Sequence, residues 1–198
     1  MIKLFIVFLT ICICSGTCLA IQLSDQLLTR GSDLGIDLSF TQASFENPDL
    51  TLSTNQLDFL LNDLKMVGKG KNQVLSKFGS IQSNAIALDY KALEIQFLGD
   101  VFLAHEDIKL NSDEAYVKVN ENTFIAKKSV IFSFGDYKSQ SEYAEYDREL
   151  NQIQFEGNVL FSHADEYAKG DVIIFDLNKE TFLSKGRAKV KISRDVIQ

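Results

Sequence analysis

The chain has 198 residues, of which 45% are hydrophobic and 24% are charged, with a single proline. This composition is typical of one globular domain, and it excludes a disordered or fibrous protein because such chains bury too little apolar surface. The 20 basic and 27 acidic residues give a formal net charge of -7. That is the wrong sign for binding the phosphate backbone of nucleic acid, so nucleic acid is not an expected partner.

The first twenty residues have the pattern of a secretory signal. Lys3 precedes an apolar run over residues 4–14, and small residues then lead to Ala20. We expect residues 1–20 to be a signal peptide that is cleaved after Ala20, and residues 21–198 to form a single domain. Two alternatives stay open, an uncleaved membrane anchor and lipid attachment at Cys18. The anchor is disfavoured because a spanning helix needs about 20 apolar residues.

All three cysteines of the chain, Cys12, Cys14 and Cys18, lie inside this signal. Cleavage after Ala20 would therefore leave a mature chain without a disulfide, a thiolate nucleophile or a cysteine-ligated metal. The sequence thus predicts an acidic, exported domain.

The rest of the chain is an internal repeat. Residues 83–127 align without gaps on residues 141–185, with identity at 14 of 45 positions, where composition alone gives about one match in seventeen. The two segments are 58 residues apart, and half of this offset gives a repeat unit of 29 residues. A fixed period of this length indicates an architecture in which each copy buries its apolar face against its neighbours. Its copies open at Ser83, Ser112, Ser141 and Gly170, with a weaker copy opening at Thr54.

Each copy is predicted to be a strand, a tight turn and a second strand. Apolar and polar residues alternate with period two, and turn-forming residues such as those at 120–122 separate the two runs. The second strand is long, as over Ile95–His105, and Gly99 at its middle predicts a bend or bulge. In the weak first copy we expect a bulged stretch at residues 69–72. Five copies and one or two strands from residues 36–52 predict an all-β protein of about twelve strands in chain order.

One side of this alternation is predicted to face inward and to form a long apolar interior that is open at its ends. Its members are Leu57, Phe59, Ile86, Leu88, Ile95, Phe97, Val101, Leu103, Val117, Phe124, Val130, Phe132, Tyr146, Ile153, Phe155, Val159, Phe161, Ile173, Phe175, Phe182 and Val190.

Three motifs in register resemble a known family. They are Gly99-Asp100-Val101, its copy at residues 157–159, and the turn entry Ala144-Glu145-Tyr146-Asp147. Together with the 29-residue spacing, they look like the OstA-like repeat of the periplasmic lipopolysaccharide-transport proteins LptA and LptC and of the N-terminal domain of LptD. The resemblance covers about residues 55–192. It implies a twisted β-jellyroll of two-strand repeats, open at both ends, whose hydrophobic groove holds lipopolysaccharide acyl chains.

The same resemblance implies a location and partners. Such domains stack head to tail in the periplasm into a bridge that passes lipopolysaccharide from the inner to the outer membrane. The implied partners are lipopolysaccharide, LptC-like inner-membrane and LptD-like outer-membrane components, and further copies of the chain. Carried onto this sequence, the lipid-binding residues are Phe59, Ile86, Leu88, Phe97, Val101, Leu103, Val117, Phe124, Phe132, Tyr146, Phe155, Val159, Phe161, Phe175 and Phe182.

Alternatives to a lipid-carrying bridge remain at this stage. A cleaved signal favours a soluble LptA-like bridge, and an uncleaved one favours an anchored LptC-like component. The residues alone also suit an exported structural scaffold, whose inward side chains only fill a core as in a β-sandwich.

No catalytic or nucleotide-binding motif is present, so we expect neither an enzyme nor a cofactor or metal. The best candidate for such chemistry is His105-x-Asp107 and its copy His163-x-Asp165, since histidine and aspartate form metal and acid–base pairs. The equivalent position of another copy holds Phe134, which indicates a column of strand ends that tolerates rings.

Overall fold

The computed structural model describes residues 38–47, 50–60, 62–76, 79–118 and 120–191. The predicted signal and its cleavage site lie outside them. The described residues form twelve β-strands, and no helix among them is long and apolar enough to cross a membrane. The strands are β1 Leu38–Asn47, β2 Leu50–Leu60, β3 Lys65–Ser76, β4 Gly79–Asp89, β5 Glu94–His105, β6 Ile108–Lys118, β7 Thr123–Phe134, β8 Tyr137–Asp147, β9 Gln152–His163, β10 Glu166–Asp176, β11 Thr181–Lys185 and β12 Lys189–Lys191.

Each strand pairs with the next one along the chain, so that β1 to β11 form one antiparallel sheet in sequence order. Both β11 and β12 pair with β10, the first with residues 172–176 and the second with residues 167–169. They are therefore the two halves of a single strand that is interrupted at Gly186. Among the described residues, β1 and this last bent strand each pair with a neighbour on one side only. The described sheet is therefore open at these two edges. The all-β prediction and the chain-order topology are confirmed.

A bend crosses the middle of the strands. From β2 to β10, every pair of neighbouring strands shifts its register about halfway along. In the odd-numbered strands the shift coincides with left-handed backbone, which redirects a strand. These positions recur every 29 residues and are Gly70, Gly99, Lys128, Gly157 and Gly186, with φ values of 84, 73, 63, 78 and 85°.

The bend folds the sheet into two facing layers. Phe155 and Phe161 precede and follow the bend of β9, yet their ring centroids are 6.2 Å apart. Six residues of straight strand would span about 20 Å. The first layer consists of residues 94–98 of β5 and the strand halves that continue their ladder of backbone pairs on both sides. The second layer consists of residues 101–105 of β5 and the halves that continue that ladder. Apolar side chains from both layers form the core between them.

Hydroxyl groups stabilise the bend on its inner side. The hydroxyls of Thr54, Ser83 and Ser112 each donate to the carbonyl oxygen two residues ahead, at 2.9 Å. These residues open the sequence copies, and the structure places them in the middle of strands. Ser83 lies within β4, which already begins at Gly79. The sequence unit therefore runs from bend to bend, and both of its strands are long.

Polar side chains also link neighbouring strands on the outer side of the bend. Asn84 Nδ2 donates to Asp100 Oδ2 at 2.8 Å, and Asn158 Nδ2 donates to Glu142 Oε1 at 2.7 Å. These two pairs are 58 residues apart, and in the copy between them Ser129 Oγ donates to Asp113 Oδ2 at 3.4 Å, so that local hydrogen bonds hold the bend in successive copies.

The bend gives a first prediction. Gly157 has a φ of +78°, and an added Cβ would lie 2.8 Å from the Cβ of Glu142. Gly135 also has positive φ, but nothing lies within 4 Å of its added Cβ. Left-handed backbone costs a residue with a Cβ roughly 1–2 kcal/mol. We expect Gly135→Ala to lower the free energy of unfolding by this amount, and Gly157→Ala to lower it further. Urea unfolding measures both, and equal losses would contradict a crowded bend.

Candidate functional site

The residues predicted to line a lipid groove lie in the interior between the two layers. All of them except Phe182 are at most 8% exposed. In this conformation the interior is therefore filled by the protein's own side chains. Phe182 is 39% exposed, and Val190, another predicted inward residue, is 50% exposed. Both belong to the last bent strand, where the core meets solvent.

Aromatic rings fill the C-terminal half of the interior and pack across the two layers. Phe132 and Phe155 have ring centroids 5.3 Å apart, and Phe161 lies 5.1 Å from Phe175. Phe161 also lies 5.2 Å from Phe182. The rings thus form a continuous apolar path from the centre of the core to the exposed last strand.

This path ends at an open cleft of about 410 Å³. Phe182 lies on the first-layer side of the cleft and Val190 lies on its second-layer side. The cleft opens beyond this last strand. Its walls are mostly apolar, and charged residues stand at its rim. The cleft is lined by Tyr137, Phe161, His163, Glu166, Tyr167, Ala168, Glu180, Thr181, Phe182, Val190 and Lys191.

Opposite the bend, the turns of the two layers meet along a seam. Backbone hydrogen bonds join successive turns of the same layer, as from Leu177 N to Asn151 O at 3.1 Å and from Gly135 N to Asp107 O at 3.3 Å. Across the seam, the Tyr137 hydroxyl donates to the Glu180 carbonyl at 3.2 Å. Half-buried apolar side chains pack against the core here, namely Tyr90, Leu93, Phe134, Tyr137 and Leu177.

The interior is more polar in the first copy of the repeat. Asn72, which is 3% exposed, occupies the position that Val101 holds one repeat later. Gly68 occupies the position of Phe97, and a Cβ on Gly68 would collide with the Asn72 side chain. Asn72 therefore fills the space that an aromatic ring fills in the next copy. The bulge expected at residues 69–72 is present, and it is the bend that the other copies share.

The two histidines end equivalent strands. His105 ends β5 and is buried, and His163 ends β9 and stacks on the Tyr137 ring at a centroid distance of 4.2 Å. Phe134 ends β7 in the same column, as predicted. In the part of the chain that the structure describes, no three potential metal ligands among histidine, cysteine and carboxylates come together.

Two titratable side chains near the turns have shifted pKa values. The Tyr146 phenol is buried, which raises its pKa, and it donates to Asn151 Oδ1 at 2.9 Å. Asp176 begins the turn before β11 and accepts from the backbone nitrogens of Asn178 and Lys179. The hydrogen bond from the Lys179 ammonium, with help from Gln152, lowers the Asp176 pKa from 3.8 to about 2.

Comparison with known proteins identifies the family. Residues 80–181, just over half of the chain, match the family described as LptA/(LptD N-terminal domain) LPS transport protein. The chain belongs to this family. No curated protein matches the chain.

A solved structure has the same fold. LptH from Pseudomonas aeruginosa, described as the LptA-homologous periplasmic component of the conserved lipopolysaccharide transport device, superimposes with a TM-score of 0.53 at 14% identity. The match covers 57% of this chain and 93% of LptH. It confirms the predicted jellyroll fold for the LptA/LptD family member described here.

The sequence identified the interior but missed two parts of the site. The seam was missed because its residues lie in turns or at the ends of strands, where period-two alternation stops. The cleft was missed as a unit because it joins residues distant in sequence, such as Tyr137 and Val190. A usable signal existed for the cleft, since Phe182 and Val190 belong to the last copy of the repeat and no later copy packs beside them within the repeat.

The turn before β11 gives a second prediction. The folded-state pKa of Asp176 is lowered, so its stabilising contribution is complete above pH 3.8 and is lost as the pH falls toward 2. We expect the free energy of unfolding to fall over this window, and to fall less in Asp176→Asn. Thermal melts between pH 5 and about pH 2 test this. Asp136→Asn, an exposed carboxylate in another turn, is the matched control. The same flattening in both variants would contradict a specific role for Asp176.

Proposed function

We propose that this protein is a periplasmic component of lipopolysaccharide transport that carries the lipid's acyl chains between its two layers and hands them on at the C-terminal cleft. The observation that carries the proposal is the apolar interior, which runs without interruption from the buried aromatic cluster to a cleft open at the last strand. A cleaved signal, which the first twenty residues predict, would place the chain in the periplasm. Membership of the LptA/LptD family supports lipopolysaccharide as the lipid and lipopolysaccharide transport as the pathway.

Acyl chains need such an interior in order to cross an aqueous space. Each methylene exposed to water costs about 0.8 kcal/mol, so a carrier must keep the chain covered throughout. The inward side chains of the C-terminal half are mostly apolar, with Ser139 and Ser141 as buried hydroxyl-bearing exceptions. The charged residues at the rim of the cleft, including Lys191 and Glu166, suit the polar head of the lipid, which stays in water.

Entry of a chain requires the two layers to separate, because the interior is already filled. The seam is the line along which this separation costs least. The layers are continuous through the bend, but at the seam they meet through side-chain packing and contacts such as that of the Tyr137 hydroxyl with Glu180. Opening there would leave the backbone ladder of each layer intact.

The open edges of the sheet support assembly into a bridge. Within the described residues the last bent strand pairs with β10 alone, so its other side leaves backbone N–H and C=O groups for a further strand. β1 offers the unlike edge, and joining unlike edges head to tail propagates into a filament. We propose that LptC-like and LptD-like partners, and further copies, dock on these edges. A membrane-anchored LptC-like component is the second candidate if the N-terminal segment is retained.

Site-specific photo-crosslinking tests the lipid path. A photoreactive residue at Phe182 or Phe161 should label lipopolysaccharide because both line the cleft. The matched control is Leu183, which neighbours Phe182 on the same strand and points away from the interior. Leu183 is 59% exposed against 39% for Phe182, so accessibility alone would favour labelling at the control. Labelling at Leu183 equal to that at Phe182 would contradict the path.

A proline substitution tests docking at the last strand. Val190→Pro removes one backbone donor and obstructs the ladder, whereas Val190→Ala keeps the backbone unchanged. We expect the proline variant to lose self-association and capture of LptC-like or LptD-like partners, and the alanine variant to keep both. Light scattering over a concentration series and pull-down measure these, with circular dichroism to confirm retained β-structure. Equal capture by the two variants would contradict edge pairing.

A further inference from the structure

Over strands β6 to β12, the outer face of the second layer carries lysines and no carboxylate within its strand halves. Two rows of outward residues cross it from β6 to β12, in register through the strand pairs. We call these two rows the lysine face. One row is Lys109, Ser133, Lys138, Ser162, Tyr167 and Lys191, and the other is Asn111, Ile131, Gln140, Leu160, Lys169 and Lys189.

The lysine face stands out against the rest of this acidic chain, whose net charge is -7. Its lysines are exposed, and none of them forms an ion pair within the described residues. Some lysines of the first layer are paired instead, as in Lys65 with Asp89 at 3.2 Å and Lys118 with Glu121 at 2.9 Å. The two rows therefore carry five lysines and no carboxylate, and exposed carboxylates flank them at the bend and in the turns, namely Asp113, Glu142, Asp171, Asp107, Asp136 and Asp165.

Apolar side chains lie between these lysines. Ile131 on β7 is 50% exposed, and Leu160 on β9 and Tyr167 on β10 are half-buried. Lys109 and Lys138 lie two strands apart in the same row, a spacing of about 10 Å. Cations interspersed with exposed aliphatic and aromatic groups are typical of protein surfaces that rest on anionic membranes.

A cleft of about 430 Å³ adjoins this face at the bend of the last strands. Lys169, Lys189 and Arg187 line it, together with Asp171. Arg187 Nε lies 3.7 Å from Asp171 Oδ2, and its side chain is 95% exposed. Cationic groups thus border a hollow at the end of the lysine face.

The residue types favour a lipid surface over a protein partner. Protein interfaces are enriched in arginine and depleted in lysine. All cations in the two rows are lysines, which bind phosphates as point charges without a demand for paired geometry. We propose that the lysine face docks the protein on a bilayer surface rich in anionic phospholipid, with lysines at the phosphates and Ile131 inserted at the interface. This surface faces away from the interior and does not depend on lipid cargo there, and it shares Tyr167 and Lys191 with the lining of the C-terminal cleft.

Vesicle binding by the full chain, as recovered from cells, tests this proposal. We expect it to bind vesicles that contain phosphatidylglycerol more tightly than vesicles of phosphatidylcholine alone, and to lose this preference at high salt. Replacing Lys109, Lys138 and Lys169 together by Gln should weaken binding by about a hundredfold. Replacing Lys65, Lys91 and Lys118 by Gln changes the net charge equally and should leave binding nearly unchanged. The N-terminus is the same in both variants, so it cannot account for a difference between them.

Tryptophan fluorescence locates the contact, because the chain contains no tryptophan. Ile131→Trp should shift to shorter wavelength on phosphatidylglycerol vesicles, whereas Leu183→Trp on the first layer should not. Equal binding by the two triple variants, no preference for anionic vesicles, or equal shifts at the two tryptophans would overturn the proposal. Self-association without vesicles that the first triple variant abolishes would also overturn it, in favour of a second copy as the occupant.

Discussion

The fold depends on left-handed backbone placed in the middle of strands at a fixed period. A flat antiparallel sheet of this length would have one apolar face and nothing to cover it. The bend makes each strand contribute to both layers, so that the sheet covers itself. Left-handed backbone costs strain in residues that carry a Cβ, and glycine avoids this cost at most of the odd-strand positions. Lys128 is the exception, and its ammonium pairs with Glu114 at 2.6 Å across the bend.

This way of folding separates the interactions within a layer from those between layers. Within each layer, strands are held by continuous backbone ladders. Between layers, contact is made through side chains such as Phe132 with Phe155 and Tyr137 with Phe175. Packing of this kind can be rearranged without breaking a strand, and an acyl chain offers replacement contacts of the same apolar character. The proposed lipid path therefore uses the same surface that stabilises the empty protein.

The sequence predicts much of the fold and less of the site. Alternation in the copies placed residues such as Phe97 and Phe155 in the interior, because inward and outward positions differ sharply in polarity in a sheet with one buried face. The bend at Lys128 could not be predicted, since nothing about lysine indicates positive φ. Ser83 opens a copy of the sequence repeat and yet lies inside β4, because a bend and a turn carry similar polar residues.

Features that depend on which strands are neighbours were beyond sequence reasoning. The lysine face joins Lys109 and Lys169, which share a surface only through the register of five successive strand halves. The cleft likewise depends on the last strand breaking into two halves at Gly186. Once the topology is fixed, both follow from the alternation of side chains along each strand.

We propose that the interior is closed in the empty protein and opens at the seam to admit lipid. The distance between spin labels at positions 136 and 180, one on each side of the seam, tests this in a chain with Cys12, Cys14 and Cys18 replaced by serine. We expect a short, narrow distance distribution that shifts to longer distances when lipopolysaccharide binds. An unchanged distribution in a sample shown by native mass spectrometry to hold lipopolysaccharide would contradict it.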